Sequence, residues 1–345
     1  MKHVEVPIFE PNPIILKDLR SRMRGARPYA ILTTFLLTLV AVGYGIYQLM
    51  LQQERFGGTV LSPQVGQALF RGLALCELSL VVFLAPAMTS GAISSEREQL
   101  TYDLLLATPL NPMHILWGKL IAALSYLFLL IFASIPIFSV VLMFGGITPK
   151  DVLKTLLLLI STAITCGAIG LYCSSLAQRT SQATVMSYML ILLLLGGTLV
   201  AGGVWGQFNN LSGQAVPPQL VYLNPFSALI SIVTVAPESS GAAIFFYNDP
   251  FAGLPILSLL SPGVIYYGQD GMKVLPVYRA TLLLYALLTT LLAWLSTHLA
   301  LPKRRWQMNR RDLSFALLLL SLCFLMWQVR NWWFVLPSQI PLGVG

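Results

Sequence analysis

Residues 94–119 read SSEREQLTYDLLLATPLNPMHILWGK, a polar and acidic segment between two long apolar runs. Within this polar segment, Ser95 and Glu98 have the spacing of a capping box, in which each side chain satisfies a backbone N–H at a helix start. Glu96 and Glu98 would lie in the first turn of that helix, where the macrodipole favours negative charge. The spacing predicts a short helix over about 95–108, although a solvated loop that happens to be helical would give the same pattern.

Prolines mark both the end of this short helix and the start of the next one. The residue before a proline is disfavoured in the α conformation, so Thr108-Pro109 should end the helix. Asn111-Pro112 has the residue types of an N-cap and a first helical position. We therefore predict that the polar segment connects two long helices and is itself structured.

The composition excludes a soluble globular protein. Of the 345 residues, 56% are hydrophobic and only 10% are charged, whereas soluble domains average about 25% charged residues. The apolar runs are too long and too free of charge to form one soluble core. The predicted fold class is an all-α polytopic membrane protein, embedded in a lipid bilayer.

The net charge of +8 does not indicate a nucleic-acid partner. The basic residues cluster beside the apolar runs, where the positive-inside rule and anionic lipids account for them. With the N-terminus in the cytoplasm, the inner segments hold fourteen of the twenty-one Lys and Arg residues; these segments are 1–28, 94–119, 177–182 and 302–312. This bias predicts a cytoplasmic N-terminus and a cytoplasmic polar segment in a cell (plasma or inner) membrane.

Six apolar runs are long enough to cross a bilayer, and a seventh run near the C-terminus is a candidate. The predicted helices cover residues 29–51, 69–93, 112–144, 149–176, 183–205, 276–301 and, as the extra helix, 313–329. Pro136 lies inside the third run, where a proline interrupts the helical hydrogen bonds and should kink or break the helix. Trp332 and Trp333 follow the extra helix, as is typical of a membrane interface.

These runs divide the chain into three parts. Residues 1–28 are basic and are predicted to contain an amphipathic helix at the membrane surface, with a topology signal that has no helix as the alternative. Residues 29–301 form a six-span domain, and residues 302–345 contain a basic loop and the extra helix. Within the six-span domain, residues 206–275 are broken by prolines, which predicts re-entrant or interfacial elements on the outer face; two further spans are the alternative.

A search for catalytic and metal-binding patterns finds none in the sequence. The G-x-x-x-x-G-K-[ST] phosphate loop is absent, since Gly118-Lys119 lacks a glycine five residues earlier and is followed by Leu120. The G-x-S-x-G and H-E-x-x-H patterns are also absent. The three histidines are scattered, and the four cysteines lie within apolar runs without metal spacing. We therefore predict no catalytic residue, no bound metal and no enzyme activity in this chain.

Glu77 is the one acid well inside a predicted span. An intramembrane carboxyl group is by default a functional candidate that faces a cavity or a partner. Structural pairing with a neighbouring helix is the equal alternative. A catalytic role would need a second polar group at the same depth, and the sequence indicates none.

Residues 84–124, LAPAMTSGAISSEREQLTYDLLLATPLNPMHILWGKLIAAL, resemble the core signature of ABC type-2 transporter permeases, the membrane subunits of ATP-binding cassette exporters. In that family a span ends in a small-residue turn, followed by E-R-E, by T-x-[DE]-x-L-L-x-[TS]-P, and by G-K at the start of the next span. Residues 12–25 are also similar to the family's start. The matching positions are Glu96, Arg97, Glu98, Thr101, Asp103, Leu105, Thr108, Pro109, Gly118 and Lys119. The extra helix departs from the six spans that are usual in the family.

The resemblance implies a function and a partner. In such permeases the loop between the second and third spans docks as a coupling helix into a cytoplasmic ABC ATPase, a separate chain that uses ATP and Mg²⁺. It also implies a dimer with a second copy or a sister permease around a substrate pathway, no cofactor bound by this chain, and export. The ATPase-coupling residues that it implies are Glu96, Arg97, Glu98, Thr101, Tyr102, Asp103, Leu104, Leu105, Thr108 and Pro109.

Two other classes of function are alternatives. A non-transporting membrane scaffold would use the polar segment to recruit a cytoplasmic partner. A membrane-embedded enzyme would need convergent polar residues at one depth in several spans, and Glu77 is the only candidate. Association with an ATPase, and its stimulation by a substrate, would separate these alternatives from the permease.

Overall fold

The computed structural model describes residues 25–54, 63–101, 112–210, 221–234, 264–268, 271–300 and 310–333. Six helices in these ranges are long and apolar enough to cross a membrane, which confirms the predicted all-α polytopic fold. In chain order the elements are α1 (Ala26–Glu54), α2 (Pro63–Thr89), α3 (Ser94–Glu98), α4 (Pro112–Ala133), α5 (Ile135–Met143), α6 (Pro149–Leu176), α7 (Thr180–Asn210), α8 (Pro225–Val233), β1 (Ile265–Gly268), β2 (Gly271–Val274), α9 (Val277–Ala300), α10 (Arg310–Gln328) and α11 (Arg330–Trp333).

The helices α2 and α6 form the centre of the bundle. Their apolar side chains are buried from several directions, because α6 contacts α2, α4, α7 and α9. Leu158 and Leu159 of α6 and Leu78 of α2 are fully buried. The helices α1 and α7 lie at the edge and expose large apolar side chains such as Leu37 and Leu193. Such an apolar exterior is what contact with lipid tails requires.

Close packing of α2 on α6 depends on a glycine. Thr89, at the end of α2, lies against Gly170, where a Cβ atom would overlap the hydroxyl oxygen of Thr89. Thr89 is fully buried, and its hydroxyl donates to the carbonyl oxygen of Ala85 at 2.9 Å. Because small residues let helix backbones approach closely, Gly170 sets the spacing of the two helices near α3.

The third span breaks at the proline that the sequence analysis singled out. Helix α4 ends at Ala133, and α5 begins at Ile135 with Pro136 in its first turn. Ser134 lies between the two helices. Proline has no N–H with which to continue the helical hydrogen bonds, so the predicted break is confirmed.

The connection from α5 to α6 follows its local sequence. Gly145 and Gly146 both have positive φ angles, 84° and 77°, which glycine adopts without a steric penalty. The backbone N–H and hydroxyl of Thr148 then donate to the carboxylate of Asp151 at 3.3 and 2.7 Å. With Thr148 as the N-cap and Pro149 as its first residue, α6 has a cap-plus-proline start.

The described part of segment 206–275 contains the end of α7, the short helix α8 and one hairpin. Helix α8 has nine residues, too few to cross a membrane, and it is almost wholly buried against α2, α6 and α9. Strands β1 and β2 pair antiparallel, from Ile265 opposite Val274 to Gly268 opposite Gly271. This hairpin was not predicted from the sequence. The side of the membrane on which the segment lies stays a prediction.

The chain after α9 returns along that helix. Nη1 of Arg279, near the start of α9, donates to the carbonyl oxygen of Trp332 in α11 at 3.1 Å. The ring of Trp333 packs edge-on against Tyr222, with centroids 6.2 Å apart. The extra helix is present as α10, but its apolar part, Phe315–Gln328, is shorter than the six spans. A seventh crossing stays a prediction.

Two predicted features lie mostly outside the described residues. Residues 1–24 of the predicted amphipathic segment 1–28 lie outside the described residues. Residues 302–309 of the basic loop at 302–312 do so too, whereas residues 310–312 begin α10. The division of the chain into three parts therefore stays a prediction.

Candidate functional site

The polar segment begins with a shorter helix than its sequence predicts. Helix α3 ends at Glu98, and Leu100 then adopts a positive φ of 56°. A left-handed conformation is unfavourable for leucine and ends a right-handed helix. The helix predicted over about 95–108 is therefore present at 95–98 and interrupted at Leu100. Residues 102–111 lie outside the described residues, so the remainder stays a prediction.

The predicted capping box is also wrong. Ile93, which precedes α3, is itself in the right-handed helical region, so the chain enters α3 through a turn rather than through a free helix start. The backbone N–H of Ser95 already donates to the carbonyl oxygen of Gly91 at 3.2 Å. The Ser95 hydroxyl donates to the same oxygen, and Glu98 bonds to another part of the chain.

Lys119 ties the first turns of α4 to the polar segment. Its Nζ atom donates to Oε1 of Glu96 at 2.5 Å and to the carbonyl oxygen of Ala92 at 2.9 Å. The Lys119 side chain is only 7% exposed, whereas that of Glu96 is 22% exposed. A lysine so buried needs a charge partner, and Glu96 provides it. The E-R-E and G-K parts of the signature therefore meet in space.

Ser174 attaches the turn before α3 to the end of α6. Its Oγ atom accepts hydrogen bonds from the backbone N–H groups of Ile93 at 2.9 Å and Ser94 at 3.0 Å. All three residues are buried. A serine at this position thus satisfies two backbone donors that the turn leaves without helical partners.

Arg97 and Glu98 reach the turn between α6 and α7. Nη1 of Arg97 donates to the carbonyl oxygen of Ala177, the C-cap of α6, at 3.2 Å. The Glu98 carboxylate accepts from the backbone N–H and the hydroxyl of Thr180, the first residue of α7, at 3.0 and 2.9 Å. A cation at a helix C-terminus and an anion at a helix N-terminus both complement the helix macrodipoles.

A fourth connection joins α2 and the turn that follows it to α7. The hydroxyl groups of Ser90 and Thr184 lie 3.0 Å apart, and the Tyr188 hydroxyl donates to the carbonyl oxygen of Phe83 at 2.8 Å. Sequence reasoning missed these residues, as it missed Ser174 and Thr180. The available signal was that segments 94–119 and 177–182 were both predicted to lie on the inner side.

The structure places the predicted coupling residues in two groups. Glu96, Arg97, Glu98 and Thr101 belong to the described residues, and the backbone N–H of Thr101 donates to the carbonyl oxygen of Glu96 at 2.9 Å. The other group lies outside the described residues and comprises Tyr102, Asp103, Leu104, Leu105, Thr108 and Pro109. At the junction, the side chain of Leu100 is 85% exposed.

Glu77 lies where the third span breaks. It is fully buried, and its Oε1 atom accepts a hydrogen bond from the Ser134 hydroxyl at 2.7 Å. The Oε2 atom has no hydrogen-bond partner among the described residues. The same described ranges contain no group of three or more His, Cys, Asp or Glu side chains that could hold a metal ion.

A comparison with protein families identifies the chain. The family described as "ABC-2 family transporter protein" matches residues 13–301, most of the chain. The chain belongs to the ABC-2 transporter family. As an ABC-2 family membrane protein it is a transmembrane, permease-type transport subunit rather than an enzyme, and the resemblance at residues 84–124 is confirmed. ABC-2 transporters work in general with an ATPase partner. No curated protein matches the chain.

Proposed function

We propose that this chain is the permease subunit of an ABC exporter and that its polar segment couples it to a separate cytoplasmic ATPase. The observation that carries the proposal is the attachment of α3 to three spans. Lys119 of α4, Ser174 of α6 and Thr180 of α7 all bond to residues 93–98. A docking element must be held firmly on its membrane side if force applied to it is to move the spans.

The geometry supports a common membrane side for the segments that we assign to the cytoplasm. Helix α3 contacts the turn between α6 and α7 through Arg97 and Glu98. At the opposite end of α6, Nζ of Lys154 lies 5.8 Å from the ring centroid of Tyr278, which adjoins Arg279 at the start of α9, just after the hairpin. We therefore propose that the N-terminus and the polar segment are cytoplasmic and that the protein lies in the plasma or inner membrane.

The source of energy is a second protein in this proposal. The sequence has no phosphate loop, so the ATPase that binds ATP and Mg²⁺ is another chain. Two permease chains, either identical or paired with a sister permease, surround the pathway. When the two ATPases close on ATP, they displace the polar segments, and the spans change the exposure of the pathway by rigid-body movement. We propose export as the direction, because no sequence segment resembles the docking loop of an importer.

The exposed tip of α3 is the proposed point of docking. Leu100 presents a large apolar side chain to solvent in an unfavourable backbone conformation. Strained residues of this kind cluster at functional sites, where surrounding structure maintains them. The apolar residues Leu104 and Leu105 follow in the sequence and extend the same docking segment.

A pull-down of the tagged protein from its native membrane in mild detergent tests the proposal. We expect mass spectrometry to recover a soluble ATPase whose peptides include a phosphate-loop lysine. Replacement of residues 100–108 by a Gly/Ser linker should abolish recovery, while a tag-only control recovers nothing. Because the linker leaves the contacts of Glu96 and Glu98 in place, the variant should still insert and fold.

The outcome separates the proposal from its alternatives. Absence of an ATPase after chemical crosslinking would contradict the proposed ATPase coupling and favour a scaffold. Recovery of an ATPase that the linker variant retains would preserve the coupling but overturn the docking site.

A further inference from the structure

We propose that Arg97 and Glu98 are positioning residues that transmit movement of α3 to the ends of α6 and α7. This inference rests on the proposed function, and it assigns the two residues a role within the chain. The resemblance implied instead that both side chains contact the ATPase.

The direction of the two side chains carries the inference. Both oxygens of the Glu98 carboxylate are used by Thr180, one by its backbone N–H and the other by its hydroxyl. The Arg97 guanidinium donates to the carbonyl oxygen of Ala177. These contacts join residues about eighty positions apart in the sequence, so they are tertiary contacts rather than local turns.

Each of the two helix ends is bound by a side chain whose charge is opposite to the partial charge of that end. The last carbonyl groups of α6 carry partial negative charge, and the first N–H groups of α7 carry partial positive charge. The Arg97 cation binds a carbonyl oxygen at the end of α6, and the Glu98 anion binds an N–H at the start of α7. Adjacent residues of α3 therefore bind adjacent helix termini, and α3 cannot shift without either moving both termini or breaking both contacts.

The turn before α3 is also bound to α6 and α7. Ser174 binds the backbone of Ile93 and Ser94, and Ser90 lies within hydrogen-bond distance of Thr184. Helix α6 packs on α2, α4, α7, α8 and α9 in the described part of the bundle. Movement of its inner end therefore reaches each of these helices.

The experiment compares Glu98→Ala, Thr180→Val and the double variant within the complex with the ATPase. Two quantities are measured: ATPase recovery in the pull-down, and the hydrogen–deuterium exchange of residues 181–195 with and without ATP plus vanadate. For the exchange measurement, the value compared between variants is the difference between the samples with and without ATP plus vanadate. A helix that is loosened equally in both samples would leave that difference unchanged. Gln99→Ala, an exposed neighbour in the same segment, is the matched control.

We expect each single variant to keep wild-type ATPase recovery. Glu98→Ala removes both hydrogen bonds and should lose most of the ATP-dependent exchange difference in α7, whereas Thr180→Val keeps the backbone N–H bond and should lose part of it. A surface contact of this kind shifts an equilibrium by about two- to fivefold. The double variant should behave as Glu98→Ala does, because that substitution already removes both hydrogen bonds. Gln99→Ala should match the wild type in both measurements.

Two results would overturn the inference. Loss of ATPase recovery in Glu98→Ala but not in Thr180→Val would make Glu98 a docking contact. An unchanged ATP-dependent difference in both variants would mean that the contact transmits nothing. Failure of the wild-type protein to recover any ATPase is a different result, since it contradicts the proposed function itself.

Discussion

The ammonium nitrogen of Lys119 lies 2.5 Å from Oε1 of Glu96, and the two residues come from opposite ends of the polar segment. The contact closes a loop of which the described ends are Ser94–Thr101 and the first turns of α4. It fixes the separation of those ends whatever the intervening residues do. The segment thus meets the membrane domain at two points, through α3 and through α4.

Replacement of Lys119 by methionine should destabilise the protein. Met keeps the apolar stem but leaves the Glu96 carboxylate without its cation and the Ala92 carbonyl oxygen without its donor. Because Glu96 retains some exposure, we expect a loss of about 2 kcal/mol, below the full cost of a broken buried ion pair. Unfolding in detergent measures it.

Lys154→Met is the matched control for that substitution. Lys154 pairs with Asp151 at 2.8 Å, but its side chain is 38% exposed. A pair whose cation is this exposed should contribute less than about 1 kcal/mol. Equal losses in the two variants would contradict the importance that we assign to the Lys119 contact.

Gly170→Ala should be strongly destabilising. The added methyl group would overlap the hydroxyl oxygen of Thr89, which is fully buried and cannot move away without displacing α2. Overpacking of this kind costs about 1–3 kcal/mol. Gly196→Ala in α7 is the control, since a Cβ there meets nothing within 4 Å. A neutral Gly170→Ala would mean that the spacing of α2 and α6 is adjustable.

Ser134→Ala and Glu77→Leu should change the free energy of unfolding by amounts that differ in sign or size. The first removes the hydroxyl that donates to Glu77 and leaves a buried carboxyl group without a described partner, at a cost of about 1–3 kcal/mol. The second replaces a half-satisfied buried polar group by an apolar one of similar volume, which is often neutral or stabilising.

The double variant Glu77→Leu/Ser134→Ala completes the thermodynamic cycle. It should be about as stable as Glu77→Leu, because no carboxyl group remains for the hydroxyl to serve. Strictly additive losses in detergent unfolding would show that the two side chains act independently.

Leu100→Gly should raise stability and lower function together. Glycine adopts the observed φ of 56° without the clash that leucine has, so we expect a gain of about 1 kcal/mol. The same change removes the exposed apolar side chain and should reduce ATPase recovery. Leu100→Ala, which keeps a Cβ atom, should reduce recovery without the gain. A Leu100→Gly variant with normal recovery would remove Leu100 from the docking site.

The spans could be predicted from the sequence because their signals are local. Long apolar runs define the helices, Pro136 breaks the third span, and Thr148 with Asp151 starts the fourth. Each of these features depends on residues within a few positions of one another. The seventh helix was also visible as an apolar run, although run length alone does not decide whether it crosses.

The contacts of the polar segment could not be predicted, because they depend on the fold. Ser95 and Glu98 have capping-box spacing, but Glu98 finds its partner at Thr180 and Ser95 bonds to Gly91. The competing partner is brought close only by the packing of α6 and α7 on α2. The capping-box spacing therefore identified two residues that form hydrogen bonds at this site, but it predicted the wrong partners for both.

The most direct test of the coupling claim is photo-crosslinking from position 100 in the native membrane. A benzoylphenylalanine at Leu100, which is 85% exposed, should form an adduct with the phosphate-loop ATPase. The same probe at Phe83, which is 63% exposed on α2 among the spans, should not. An ATPase adduct at position 100 alone is the predicted result; adducts at neither position, in membranes where the ATPase is present, would contradict the account.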